Sequence, residues 1–401
     1  MARPPIYLDN HATTRLDPRV FEAMRPALED DYGNAASRFH AFGLRAREMV
    51  EQARAEVATL IGARPEEIIF TSGATESNNL ALRGLAESRK AHGRHIISAT
   101  IEHKAVLDPL MALKRDGFEV EFLSVNREGF LDLDRLRDAI RPDTILISLM
   151  AANNEIGTLA PMAEIGALAR ERGVFFHTDA AQAAGKVPID VEAWKVDLLS
   201  LSAHKFHGPK GTGALFVRRR KPRPKLIPQI LGGGQEEGLR SGTVNVPAIV
   251  GFGEAARIAR EEMPQNVAHL RRLRDRLWEG LKQAVPEIGL NGPSDFDRRL
   301  PNNLNVAFRH CEAQSILLDL SEEIAASPGS ACGSGDNAEP SYVLLACGGT
   351  REEAVGSIRF GVGRFTSEEE IDFAPGRIAQ SVEALRAMSP AWAIERAAAG
   401  A

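Results

Sequence analysis

Cysteine is scarce in this chain: Cys311, Cys332 and Cys347 are the only thiols in 401 residues. An odd number in so long a chain does not suggest a disulfide framework. Their spacing fits no common zinc pattern, and the imidazoles of His204-Lys-Phe-His207 have no third ligand in the neighbourhood, so no metal site is expected. Long hydrophobic runs are missing too; none approaches the length that spans a bilayer. The start, Met-Ala-Arg-Pro-Pro-Ile-Tyr-Leu-Asp9, has no apolar leader and runs straight into structure. These absences predict a cytoplasmic protein with no membrane partner. An excess of one charge is also lacking. The net charge is -5, spread along the chain, and the one dense basic run, Arg218-Arg-Arg-Lys-Pro-Arg-Pro-Lys225, reads as a solvated connector. Nucleic acid is therefore not expected as a direct partner. Internal repeats and low-complexity tracts are absent.

What remains is an ordinary globular composition, 44% hydrophobic and 26% charged, long enough for two domains with substantial cores. The elements alternate. Apolar strands are expected at 67–70, 95–99, 144–150, 174–178, 197–202 and 214–217, with helices between most of them. Asp17 and Pro18 open an early helix as N-cap and first helical residue. Strand–helix alternation implies a mostly parallel sheet covered on both faces. Two long helical stretches, 247–263 and 266–285, follow a Gly-rich loop, Leu231 to Thr243. The domain change is placed near residue 260. Residues 16–260 form the large domain, and 1–15 with 261–401 form a smaller α+β domain.

Polar residues stand just beyond successive strands: Thr71-Ser72, His103, Asn153-Asn154, Asp179 with Gln182, and Ser202 with His204-Lys205. In open α/β sheets ligands bind outside the carboxyl ends of the strands, so five such ends favour one site. Thr71-Ser72-Gly73 leads into a helix near Ala74-Thr75, where unpaired amides suit a phosphate; an ordinary capped helix is the alternative. Lys205 sits at the edge of a core, where burial would lower its pKa and make it a nucleophile towards carbonyls. The alternative is a lysine whose stem lies on the core and whose head reaches water. Cys332 lies in a Gly/Ser-rich segment with little core to join, and is either a reactive or an incidental exposed thiol. An aldehyde cofactor with a phosphate and a pyridine ring would use all these groups: a lysine to hold it and an aspartate such as Asp179 on the ring nitrogen.

Seven motifs together resemble the cysteine desulfurases of the NifS/IscS branch of the class-V aminotransferases. They are Tyr7-Leu-Asp-Asn-His-Ala-Thr-Thr14, Phe70-Thr-Ser-Gly-Ala-Thr-Glu-Ser77, Glu102-His-Lys-Ala-Val-Leu107, Asn153-Asn-Glu-Ile-Gly157, Ser202-Ala-His-Lys205, Arg240-Ser-Gly-Thr243 and Gly329-Ser-Ala-Cys332. The resemblance implies a pyridoxal 5'-phosphate enzyme of the aspartate-aminotransferase type, fold type I, with a mostly parallel seven-stranded sheet in a large cofactor-binding domain. It implies a homodimer that converts L-cysteine to L-alanine and delivers sulfur, as a persulfide on Cys332, to an acceptor or iron–sulfur scaffold protein. Carried over, Lys205 is the Schiff-base lysine, Asp179 the pyridinium partner, His103 the stacking and proton-transfer residue, and Gln182 the contact of the ring hydroxyl. Ala74, Thr75, Ser202 and His204 would bind the phosphate, with Thr243 from the second subunit. Asn154 would lie beside cofactor and substrate, and Arg359 would pair with the substrate carboxylate. Ala203, Pro328 and Ala35 depart from the usual pattern at small positions. The chain ends soon after Trp392, where relatives that bind a scaffold carry a longer tail. A selenocysteine lyase and an aminotransferase on the same fold are the competing activities.

Overall fold

A computed structural model describes residues 5–328, 339–390 and 392–393. Cys332 and the rest of its motif lie outside the described residues. Twelve strands occur among those described: β1 (Ile6–Tyr7), β2 (Ile68–Thr71), β3 (His95–Ala99), β4 (Glu119–Leu123), β5 (Thr144–Ser148), β6 (Phe175–Asp179), β7 (Leu198–Ser202), β8 (Gly213–Val217), β9 (Ile288–Leu290), β10 (Asn303–Phe308), β11 (Ile324–Ala325) and β12 (Ser357–Gly361). Seven of them form one sheet in the order β2-β8-β7-β6-β5-β3-β4. Only β8 runs against its neighbours there. The expected mostly parallel seven-stranded sheet is therefore present.

Its central strands are buried on both faces, and the sequence shows how. Along β3, β5, β6, β7 and β8, neighbouring apolar residues divide between two cores. Ile97, Ile147, Phe176, Leu199 and Phe216 join one core with Val50, Val57, Ile249 and Phe252 of the helices Ala41–Leu60 and Val246–Glu261. Ile96, Leu146, Phe175, Leu198 and Leu215 join the other with Leu80, Leu85 and Leu110 of the helices Ala74–Arg89 and Lys104–Arg115. Alternate side chains point to opposite faces of a strand, so a continuous apolar run fills both. On the second face the residues turn polar towards the strands' carboxyl ends: Ser98 after Ile96, Ser148 after Leu146, His177 and Asp179 after Phe175, Ser200 and Ser202 after Leu198. That gradient carries the chain from core to site.

A third core is separate. Ile6 and Leu8 pack there with Leu270, Leu273, Leu277 and Leu281 of the helix Met263–Ala284, with β10 and β12, and with Ile371, Ile378 and Val382 of the helix Glu368–Ala387. The antiparallel set β12-β10-β9 and the pair β1-β11 belong to this part. No helix of the described residues is long and apolar enough to cross a membrane.

Candidate active site

The polar strand ends meet at one cavity of about 1230 Å³, lined by Ala74, Thr75, His103, Asn154, Asp179, Gln182, Ser202, His204, Lys205 and Arg359. Thr243 is not among the lining residues of its own chain; it is exposed in the Gly-rich loop. Every other expected residue that lies within the described part is brought together.

The floor is built by β6 and β7. Asp179 ends β6 and is 8% exposed. Its Oδ2 accepts a hydrogen bond from Asn78 Nδ2 at 2.7 Å, and its Oδ1 accepts the Ala181 amide at 2.9 Å. Both bonds go to the charged form and aim it. Asn78, one turn into the helix Ala74–Arg89, carries the carboxylate's orientation; the sequence reading passed over it. The only available signal was the i+4 spacing from Ala74, which is indistinguishable from an ordinary helix residue.

Lys205 lies in a single 3-10 turn, Ala203–Lys205, directly after β7. Its Nζ donates to the carbonyls of His11 at 2.7 Å and Ala12 at 2.9 Å. The amine is thus held at the cavity by the Asn10-His-Ala-Thr13 segment from the other end of the sequence. His11 is itself a positioning group. Its Nδ1 is 3.1 Å from Gln182 Oε1, and Gln182 Nε2 donates back to the His11 carbonyl at 2.9 Å. The amide of Asn303 on β10 faces His11 Nε2 at 3.2 Å, so that nitrogen accepts and the proton sits on Nδ1. Burial first, then repulsion from Arg359 and Lys186, holds His11 well below the usual histidine range, and it stays neutral. His204 meets Thr13 Oγ1 at 3.0 Å and is pushed down to about 4 by burial and by Lys205 beside it.

The rim comes from two helix starts. His103 is the N-cap of the helix Lys104–Arg115, its Nδ1 accepting the Ala105 amide at 3.1 Å. The same ring lines the cavity, so the capping role and the site role coexist. Gly73, at φ +153°, opens the helix Ala74–Arg89 in a conformation side chains rarely adopt. The first amides of that helix have no intrahelical partner. Glu76 takes the Ser72 amide at 2.9 Å and pairs with Arg240 Nε at 2.9 Å. That ion pair fastens the Arg240-Ser-Gly-Thr243 motif beside the helix start. Arg359, on β12 and 2% exposed, donates to Asp9 Oδ1 at 2.9 Å and to the Asn154 carbonyl at 3.0 Å. Asp9, from the Tyr7–Thr14 motif, braces the arginine.

These groups fit pyridoxal phosphate. The helix start at Ala74 with Ser202 and His204 suits its phosphate, and the braced Asp179 suits a protonated ring nitrogen. Asn154 Oδ1 is buried and has no hydrogen-bond partner among the described residues, an acceptor left for a ligand.

Two buried acids flank the site. Glu102 Oε1 accepts the Met150 amide at 2.7 Å, and Tyr342 donates to the Glu102 carbonyl at 2.7 Å. Glu155 accepts from Ser341, and burial raises its pKa above the usual carboxylate range. Through these contacts Ser341 and Tyr342 are tied to the ends of β3 and β5.

The class-V aminotransferase family model matches residues 6–373. The chain is 53% identical to "Cysteine desulfurase IscS" of Anaeromyxobacter dehalogenans, over 97% of this chain and 95% of that protein. Among solved structures it is similar to "NIFS-LIKE PROTEIN", with a TM-score of 0.87 and 39% identity over 95% of this chain and 99% of that one. It is also similar to "SspA in complex with cysteine", with a TM-score of 0.79 and 38% identity over 90% of this chain and 100% of that one.

Proposed function

The chain belongs to the class-V aminotransferase family and, within it, to the cysteine desulfurases, and we propose that it places the sulfur of L-cysteine on Cys332 and releases L-alanine. The observation that carries this reading is the meeting of Lys205, Asp179, Gln182, His103 and Arg359 on one cavity. A similar protein has been solved with cysteine bound, which supports the substrate.

Pyridoxal phosphate, when bound, supplies the electron sink for charge developing at the substrate Cα. The residues of the chain do the rest. Asp179, aimed by Asn78 and the Ala181 amide, would hold the proton on the ring nitrogen. Gln182 would meet the ring hydroxyl. Ala74, Thr75, Ser202 and His204 would cradle the phosphate, and Thr243 of a second copy would complete the cradle. Arg359, braced by Asp9, takes the substrate carboxylate, beside Asn154. Lys205 would hold the cofactor, and the carbonyls of His11 and Ala12 hold its amine when it is free. His103, which lines the same cavity, would stack on the ring and move the proton at Cα. The Cys332 thiolate attacks the substrate sulfur. The new S–S bond forms as the C–S bond breaks, the electron pair stays with the carbon skeleton, and protonation of that skeleton yields alanine.

We also take residues 16–260 as the cofactor-binding domain and 1–15 with 261–401 as the small domain carrying the Cys332 loop. The acceptor of the sulfur would be a protein of iron–sulfur cluster assembly or of other sulfur trafficking. A homodimer is supported by exposed apolar side chains on neighbouring segments, Phe21, Leu28, Tyr32 and the fully exposed Phe39.

The test supplies L-cysteine and a reductant to the wild type and to Cys332→Ala. Alanine and sulfide from the wild type, a sulfur adduct on the Cys332 peptide by mass spectrometry, and loss of turnover in the variant are expected. Sulfide at the wild-type rate from Cys332→Ala would remove Cys332 from the reaction.

A further inference from the structure

Lys186 follows the turn after β6 and is 6% exposed. Its Nζ donates to the main-chain carbonyl of Gln182 at 3.1 Å and to that of Lys205 at 3.0 Å. Both residues it joins line the large cavity, from the turns that follow β6 and β7. Among the described residues no carboxylate pairs with it. A buried ammonium without a carboxylate is costly, and an apolar side chain of the same volume would pack there at less expense. A role in stability alone does not account for it.

The cationic side chains beside it are Lys205 and Arg364, and Arg364 is paired with Asp17 at 2.9 Å and with Glu262 at 3.2 Å. Lys186 lines a small cavity of about 20 Å³ with Lys205, His207, Asn266, Asn302 and Arg364, and no acidic residue lines it. Asn302 is 2% exposed, and its Oδ1 has no hydrogen-bond partner among the described residues; the same holds for Asn266 Oδ1. An ammonium has three donors, of which the carbonyls use two. One water, for which the volume suffices, would link the third to these amide oxygens. Lys205, His207 and His204 face Lys186 from the turn after β7, His11 from the N-terminal segment and Arg364 from beyond β12. Burial, then repulsion from Lys205, brings Lys186 down to about 7.

We infer that Lys186 is a positioning residue for Lys205: it ties the Lys205 turn to Gln182 and sets a positive charge against the Lys205 amine. The tie fixes the spacing of two cofactor contacts. Below about pH 7, where Lys186 carries its charge, that charge disfavours protonation of the Lys205 nitrogen. This rests on the reading that Lys205 carries the cofactor.

The test loads the full-length protein with pyridoxal phosphate and follows its visible band against pH. Lys186→Gln keeps an amide donor and removes the charge. Its midpoint is expected to move up by about half a pH unit or more, with cofactor still bound and kcat for L-cysteine reduced several-fold. Lys186→Arg, which keeps the charge, is expected to return the midpoint towards the wild-type value. Should the glutamine variant not fold, Lys186→Met, of similar volume, makes the same comparison. A wild-type band that Lys205→Ala abolishes, but whose midpoint ignores loss of the Lys186 charge, overturns this inference alone. A wild-type band that survives in Lys205→Ala overturns the assignment of Lys205 itself.

Discussion

His177 lies wholly buried on β6, two residues before Asp179, with Nδ1 2.8 Å from Ser148 Oγ and Nε2 3.1 Å from Ser200 Oγ. Burial pushes it down to about 4. An unfolded chain would protonate it near 6.5, so between those values the unfolded state binds the extra proton. Its contribution is complete above pH 6.5 and is lost as pH falls through about 4, roughly 3 kcal/mol in all. Thermal unfolding of the wild type should therefore weaken over that window, and His177→Gln should show a flatter profile there. Asn78 makes a second prediction at this scale. Asn78→Ala removes a charge-assisted bond from Asp179, worth about 1.5–3 kcal/mol. Equilibrium dialysis should find pyridoxal phosphate bound about tenfold more weakly; unchanged affinity would sink the bracing role. Lys205, Asp179, His103 and Arg359 were legible because each sits in or just beyond a recognisable strand, Lys205 and His103 within quoted motifs and Asp179 and Arg359 through the family resemblance. Asn78, His11 and Asn303 were not, because their partners lie 101, 171 and 292 positions away and no local pattern links them.

Elements meet at this site through close backbone approaches. Gly213, at the start of β8, stands where a Cβ would come 2.5 Å from the Leu201 carbonyl and 2.6 Å from Gly73 Cα. The antiparallel β8 can reach β7 and the turn after β2 only without a side chain there. Gly213→Ala should cost about 1–3 kcal/mol and displace the helix start at Ala74; a denaturant midpoint equal to wild type would refute this. Ser341 is tied to the end of β5 by its bond to Glu155. Burial, outweighing the Ser341 bond and Arg359, raises Glu155 above 4.5. The folded state holds that proton where the unfolded state has released it, so stability is lost as pH rises through the raised value. Glu155→Gln keeps an acceptor for Ser341 and cannot ionise; its thermal midpoint should equal or exceed wild type at pH 8. Strand β4, at the sheet edge, is not among the expected strands, although Glu119-Val-Glu-Phe alternates as a half-buried strand does; the run is short and half-exposed.

At the scale of the whole molecule the proposed partner is a second copy. Phe39→Glu puts charge on a fully exposed apolar residue, so folding should be unaffected. Sedimentation should show more monomer, and cofactor should be retained less well if, as proposed, Thr243 of the second copy completes the cradle. A variant that stays dimeric would place the interface elsewhere. The sequence by itself determined the layered α/β architecture, because near-continuous apolar strands alternating with amphipathic helices can be buried only in a sheet covered on both faces. It also determined the chemistry, because the polar residues follow directly on those strands. Only the tertiary structure decided how that chemistry is held. The bracing of Asp179, Gln182, Lys205 and Arg359 comes from Asn78, His11, Lys186 and Asp9, and these are ordinary polar residues until folding buries them. Burial removes water as an alternative partner, and each polar group must then find another across the fold.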